Sequence, residues 1–135
     1  MPDREEFLKL LSARLTKYRL EHSINVADSA RYLAKQYNAG EEKAYVAGLL
    51  HDIMKDAGRD EQLRVIEKAG YRLTPLEQLS PKLWHAVAGA AFVKTELNID
   101  YGEITYAIRF HTTGKAGMGL LSKVIFIADY ISADR

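Results

Sequence analysis

Apolar residues recur at helical spacing along nearly the whole chain, and no stretch alternates apolar and polar residues as a half-buried strand does. That regularity predicts an all-α fold. Phe7, Leu8, Leu11 and Leu15 form the first stripe, behind a start signal at Pro2 and Asp3. Ile24, Val26, Ala27, Ala30, Leu33 and Ala34 form the second, on a helix from about Arg19 to Tyr37. Gly40 suits the left-handed position that closes it. A third helix runs from Glu41 and Glu42, acidic residues favoured at a positive helix end, to about Lys55, and Gly58 breaks it. Asp60 opens a fourth carrying Leu63, Val65 and Ile66, ended by Gly70. Leu73 to Leu79 reads as a loop or short turn around Pro75. Ser80 and Pro81 supply an N-cap and first residue for a fifth helix. Glu103 to His111 is a short sixth, and Leu120 to Asp134 is the last, after the Gly-rich loop "TTGKAGMG". The expectation is a bundle of about six to seven helices.

A chain of 135 residues fits one domain, 1–135, and 47% apolar residues give it a real core. The net charge of +1 argues against a nucleic-acid partner. No cysteine is present, so any metal must be held by His, Asp or Glu. The N-terminus "MPDREEFLKLL" lacks the apolar core of a signal peptide. No run reaches the roughly 18 apolar residues of a membrane span, so the cytoplasm is the expected location.

One apolar run ends oddly. "AYVAGLLHDIMKDAGR" places His51 and Asp52 where the stripe asks for more Leu or Val. Three further histidines, His22, His85 and His111, lie in or at the ends of helices beside apolar residues. Asp129 interrupts the apolar "VIFIADYI". Taken singly, each histidine reads as a hydrogen-bonded core or surface residue, and for Asp129 the plain alternative is a solvent-facing position. Buried, the carboxylate is costly unless it is paired or metal-bound. Successive helical side chains point about 100° apart. His51 and Asp52 can therefore reach one metal only at a helix end or a distorted turn; otherwise one of them bridges toward a second centre. Imidazole and carboxylate donors suit iron, manganese, zinc or cobalt.

Lys55, one turn beyond His51, projects toward the same helix end and reads as a phosphate clamp; the plain alternative is a solvated helix-end lysine. Arg19, three residues before His22, has the same geometry and the same alternative. After His111, the residues Thr112, Thr113, Gly114 and Lys115 offer hydroxyls, backbone N–H groups and a cation to a phosphate, or form a bare loop. Asp56 can position water or serve as a turn residue. Trp84, Tyr32, Tyr37, Tyr45 and Phe92 read as core; Tyr18, Tyr106 and Tyr130 are open as base-flanking residues.

The order His22, His51-Asp52, His85, His111, Asp129 resembles the HD-domain superfamily of metal-dependent phosphohydrolases. "YRLEHSINVADSA", "GLLHDIMKD", "LWHAVAGA", "IRFHTTGKAGM" and "LLSKVIFIADYI" are similar to its YqeK-type branch, the bacterial symmetrical diadenosine tetraphosphate hydrolases. Such relatives continue past the last Asp, so this chain reads as shorter at its C-terminal end. The resemblance implies that His22, His51, Asp52 and Asp129 hold one metal ion and His85 and His111 a second, with Asp52 bridging. Iron is the first expectation, with manganese, cobalt or zinc as alternatives. It implies a dinucleoside polyphosphate substrate cut to two ADP, with Asp52 and Lys55 as catalytic residues, and no membrane partner; monomer and homodimer both stay open. The runner-up readings are another HD-type phosphohydrolase, acting on a nucleotide monophosphate, a deoxynucleotide triphosphate or a guanosine alarmone, and a metal-free nucleotide-sensing module.

Overall fold

A computed structural model describes residues 2–132 and Asp134. Helix α1 (Arg4–Arg14) starts behind Asp3, whose carboxylate accepts the Glu6 N–H at 2.9 Å. Helix α2 (Lys17–Tyr37) starts behind Thr16, whose hydroxyl accepts the Arg19 N–H at 3.2 Å. Asn38, at φ 56° and ψ 45°, takes the left-handed position expected of Gly40. A short polar side chain tolerates that conformation, and Gly40, at φ 81°, instead leads into α3 (Glu41–Leu50).

Helix α3 stops at Leu50, five residues before the expected end. The chain continues in tight turns, with Ile53 N–H bonded to Leu50 O at 3.1 Å and Lys55 N–H to Asp52 O at 2.9 Å. Ile53 and Met54 are buried in these turns. Their apolar character mimics a longer helix, although the backbone has already tightened.

Helix α4 (Arg59–Lys68) buries Ile66, but Leu63 faces solvent. Gln62 turns inward in its place and donates to the Met54 carbonyl at 2.9 Å. The stretch around Pro75 forms the four-residue α5 (Pro75–Gln78), closed by a Thr74–Glu77 capping box. Ser80 and Pro81 start only a 3₁₀ turn, Pro81–Leu83, and Ser80 makes no side-chain cap bond. Helix α6 (Trp84–Thr95) follows, then α7 (Gly102–Arg109) and α8 (Leu120–Ile131). Among the described residues there is no strand, and the fold is all-α. The one α-helix beyond those anticipated is α5.

The core forms where α2, α3, α6, α7 and α8 pack together around Ala27, Leu49, Val87, Ile108 and Ile125. Gly89 lets α6 press close to its neighbours: a Cβ there would lie 3.2 Å from Ile108 Cγ2 and 3.5 Å from the His51 carbonyl. Tyr45 and Phe92 are buried as expected and Trp84 packs partly against the core. Tyr32 and Tyr37 are 64% and 65% exposed and are not core residues: Tyr32 lies on the face of α2 opposite Ala27, Ala30 and Ala34, and Tyr37 is the last residue of the helix. No described helix is long and apolar enough to cross a membrane.

Candidate metal centre

Five elements deliver the predicted ligands to one interior point. His22 comes from the second turn of α2, His51 and Asp52 from the end of α3, and His85 from the start of α6. His111 stands just past α7, and Asp129 lies in the last turns of α8. The four histidines and Asp52 are buried, each 5% exposed or less. The early end of α3 is what lets two adjacent residues share the site. His51 is its last capping residue, and Asp52 enters the tight turn that follows.

The rings share one orientation. His51 Nδ1–H donates to the Gly48 carbonyl at 2.6 Å, His85 Nδ1–H to Lys82 O at 2.9 Å, and His111 Nδ1–H to Ile108 O at 2.7 Å. His22 Nδ1–H donates to a carboxylate instead, Asp134 Oδ2, at 2.7 Å. Each Nδ1 is thereby occupied, and each Nε2 faces the site.

Asp52 stands between two sets of imidazoles. Its Oδ2 lies 3.4 Å from His51 Nε2, 3.9 Å from His22 Nε2 and 3.1 Å from the Arg19 guanidinium. Its Oδ1 lies 3.4 Å from His111 Nε2 and 3.6 Å from His85 Nε2. Asp129 Oδ1 closes the first set, 2.9 Å from His22 Nε2 and 3.6 Å from His51 Nε2. Two groups of donors lie within 4.8 Å of one another: His22, His51 and Asp129, and His51, Asp52 and His111.

This donor set fits divalent metal ions. His51 Nε2 is buried and has no hydrogen-bond partner, a costly state for a polar atom unless a cation meets it. Neutral imidazole nitrogens and carboxylate oxygens are the ligands expected for such an ion. Residues 19–134 match the HD domain family. The chain belongs to the HD-domain family. It is 38% identical to the symmetrical bis(5'-nucleosyl)-tetraphosphatase of Bacillus subtilis, over 98% of this chain and 71% of that protein. The enzyme of the same name from Halalkalibacterium halodurans is also 38% identical, with the same coverage. A solved structure from Clostridium acetobutylicum, described as a predicted HD superfamily hydrolase involved in NAD metabolism, superposes with a TM-score of 0.94 at 37% identity. It covers 100% of this chain, which spans 71% of that one. The HD family implies dependence on divalent metal.

Electrostatics ties the HD centre together in the absence of metal. Burial disfavours charge on His51, but Asp52 and then Asp129 outweigh it and raise the imidazole to about 9. Burial also works against the Asp52 carboxylate, yet His51, His111 and His85 hold it well below its usual range. Burial, reinforced by the His111 charge, lowers His85 to about 4. The hydrogen bond from His22 and the nearby His51 and His111 charges overcome burial at Asp129 and keep it ionised.

The predicted phosphate-binding residues fall in different places. Arg19 reaches the centre directly, through its ion pair with Asp52. Lys55 is exposed, and its charge is felt at His85. Asp56 accepts the Thr16 N–H at 3.1 Å and so fixes the entry to α2. Thr112 lines a cleft of about 560 Å³ with His111, Phe126, Asp129 and Tyr130. Thr113, Gly114 and Lys115 line an adjoining cleft of about 720 Å³ with Tyr106, Arg109 and Phe110. Lys115 Nζ sits 4.8 Å from the Phe110 ring centre, on that second side of the loop. Phe126 and Asp134 escape the sequence reading. Phe126 looks like one more apolar residue of α8. Asp134 lies beyond the last apolar stripe, where no spacing ties it to His22.

Proposed function

We propose that this protein hydrolyses diadenosine tetraphosphate symmetrically with a pair of divalent metal ions, both of which Asp52 would help to hold. The observation that carries the two-metal chemistry is the position of Asp52, with one oxygen toward His22 and His51 and the other toward His85 and His111. The substrate follows from the likeness to the symmetrical tetraphosphatases over almost the whole chain. His22, His51, Asp52 and Asp129 hold the first ion, and His85, His111 and Asp52 the second. Iron is the first choice for this mixed nitrogen and oxygen set, with manganese, cobalt and zinc as alternatives.

When bound, a metal pair lowers the pKa of water and neutralises charge on phosphate oxygens. The remaining work belongs to the chain. Nδ1 hydrogen bonds hold all four imidazoles with Nε2 toward the site, so the donors need little rearrangement on loading. Arg19, at the edge of the centre, presents its guanidinium to a phosphate oxygen that approaches Asp52. Lys55 adds positive charge beside His85. Thr112 offers a hydroxyl to the phosphate chain, and the cleft between Phe126 and Tyr130 receives a nucleoside. The Thr113–Lys115 segment meets the other half of the substrate. Water adds to one of the two central phosphorus atoms, and the bond from that phosphorus to the central bridging oxygen breaks. That oxygen leaves with the second half, and both halves are ADP.

Purified protein loaded with iron(II) or manganese(II) is incubated with diadenosine tetraphosphate, beside His51→Ala, and the nucleotides are separated. ADP alone, formed by the parent and not by the variant, is the expected result. AMP with ATP, or no turnover by a metal-loaded parent, overturns the proposal.

A further inference from the structure

The geometry points to Asp134 as the positioning residue that orients His22 and sets the metal affinity of one half of the centre. His22 differs from the other three histidines in where it stands. His51 and His111 follow the last turns of α3 and α7, where carbonyls at a helix end have room to receive Nδ1–H, the Ile108 carbonyl doing so beside the His111 N–H at 3.3 Å. His85, at the first turn of α6, uses the carbonyl of Lys82 in the turn before it. His22 is the sixth residue of the 21-residue α2, inside the helix, where the helix's own N–H groups occupy the nearby carbonyls. Its Nδ1 therefore needs a side-chain acceptor.

Asp134 supplies it. Oδ2 accepts the His22 Nδ1–H at 2.7 Å, while Oδ1 accepts the Ser132 hydroxyl at 2.8 Å and the Asn25 amide at 3.4 Å. Ser132 is buried and Asn25 lies on α2, one turn past His22, so the carboxylate is braced from both sides. The contact joins the segment after α8 to the helix carrying the first ligand, across 112 residues of sequence. Nε2 faces the Asp129 carboxylate at 2.9 Å; with a metal ion in that place, a carboxylate at Nδ1 would keep the ring proton there and make Nε2 a better donor. Asp134 touches neither substrate nor metal; it acts through His22.

This inference rests on the metal reading of the centre, and its test is read in metal binding. Asp134→Ala and Asp134→Asn are titrated with manganese(II) against a competing chelator, with the free ion followed by electron paramagnetic resonance. The metal-free proteins are compared by circular dichroism and thermal melting. Removal of such an outer carboxylate typically costs about 10–100-fold in metal affinity. Asp134→Ala is expected to lose that much at one of the two sites while the other keeps the parent's affinity. Asp134→Asn retains an acceptor oxygen and is expected to fall between. Selective loss from one site separates positioning from a general effect on packing, which would weaken both. If the alanine variant does not fold, the asparagine variant decides. Manganese binding at both sites within twofold of the parent, in a folded variant, overturns the inference. A parent that binds manganese but leaves diadenosine tetraphosphate intact overturns the proposed activity alone; a parent that binds no manganese overturns both.

Discussion

Gly48 and Ala27 bring α3 and α2 into backbone contact: a Cβ on Gly48 would lie 2.9 Å from the Ala27 Cα and 3.1 Å from its nitrogen. The contact falls one turn before His51 and just over one turn after His22, so it sets the separation of the two imidazoles. Gly48→Ala gains roughly 0.5–1 kcal/mol of helix propensity. The added methyl, however, meets backbone that cannot move without shifting a helix, and overpacking of this kind costs about 1–3 kcal/mol. The clash wins. The metal-free variant is expected to be less stable in urea and to bind manganese more weakly than the parent. An unchanged midpoint with unchanged affinity contradicts the account.

Asp52→Asn keeps the shape of the side chain and removes its charge. In the metal-free protein it leaves His51, His85, His111 and Arg19 around a neutral amide. Breaking a buried pair from one side costs about 3–5 kcal/mol when the other charge must stay. Here His51 can give up its proton, so a loss nearer the lower end is expected. Both metal positions share this carboxylate, so the variant is expected to lose both ions together. Calorimetric titration with manganese checks this. Retention of one ion at parental affinity would argue against bridging by Asp52.

The six candidate ligands were legible because His51, Asp52 and Asp129 interrupt apolar runs and the other three histidines lie in or at the ends of helices beside apolar residues, a pattern that survives any uncertainty in helix ends. The geometry at His51 and Asp52 was legible only as a choice between a helix end and a bridge. The helix end holds, since α3 stops at Leu50, and the Asp52 carboxylate lies between the two imidazole sets, the placement on which the proposed bridge rests. The helix end itself was hidden because Ile53 and Met54 are buried in turns rather than in a helix, and periodicity cannot separate the two over so few residues. Leu63 and Gln62 were exchanged for a related reason. The Met54 carbonyl, in the tight turns after α3, accepts the Gln62 amide beside the Ala57 N–H, and so draws Gln62 inward. Asp134 was illegible because its partner is set by tertiary packing alone.

The metal-free protein should be most stable near pH 6.5. His51 is raised to about 9 in the fold from 6.5. The folded state therefore binds its proton more tightly, and this contribution is complete below pH 6.5 and lost as pH rises to 9. His85 moves the other way, lowered to about 4. Its neutral form is favoured by folding, so that contribution is present above pH 6.5 and lost as pH falls toward 4. Asp52 and Asp129 stay ionised throughout this window and add nothing to the slope. Urea midpoints from pH 4.5 to 9 in the presence of a chelator should fall on both sides. A midpoint that climbs steadily from pH 7 to 9 would contradict the His51 assignment.

Metal loading should release a proton at neutral pH. His51 carries one in the metal-free fold below about 9, and a ligating imidazole must give it up. Apparent affinity is then expected to rise about tenfold per pH unit between 7 and 8.5. Calorimetry in two buffers of different ionisation heat counts the protons. Zero release across this range would show that His51 is already neutral.

Arg19 and Asp134 should respond to removal with opposite signs. The Arg19 guanidinium lies 3.1 Å from Asp52 Oδ2, an oxygen assigned here to the metal, and a cation at that distance repels another cation arriving beside it. Arg19→Ala removes the competitor, so manganese affinity is expected to hold or to tighten. The same change removes a fixed positive charge from the side where the phosphate chain approaches. Loss of one preorganised donor of this kind costs about 10²–10³ in turnover. Arg19→Lys restores the charge without the planar fork and is expected to recover part of the rate. Steady-state kinetics at saturating manganese, with the metal titration beside it, reads both quantities from one set of proteins. A large fall in metal affinity for Arg19→Ala would place the arginine among the supports of the centre and not among the groups that meet substrate.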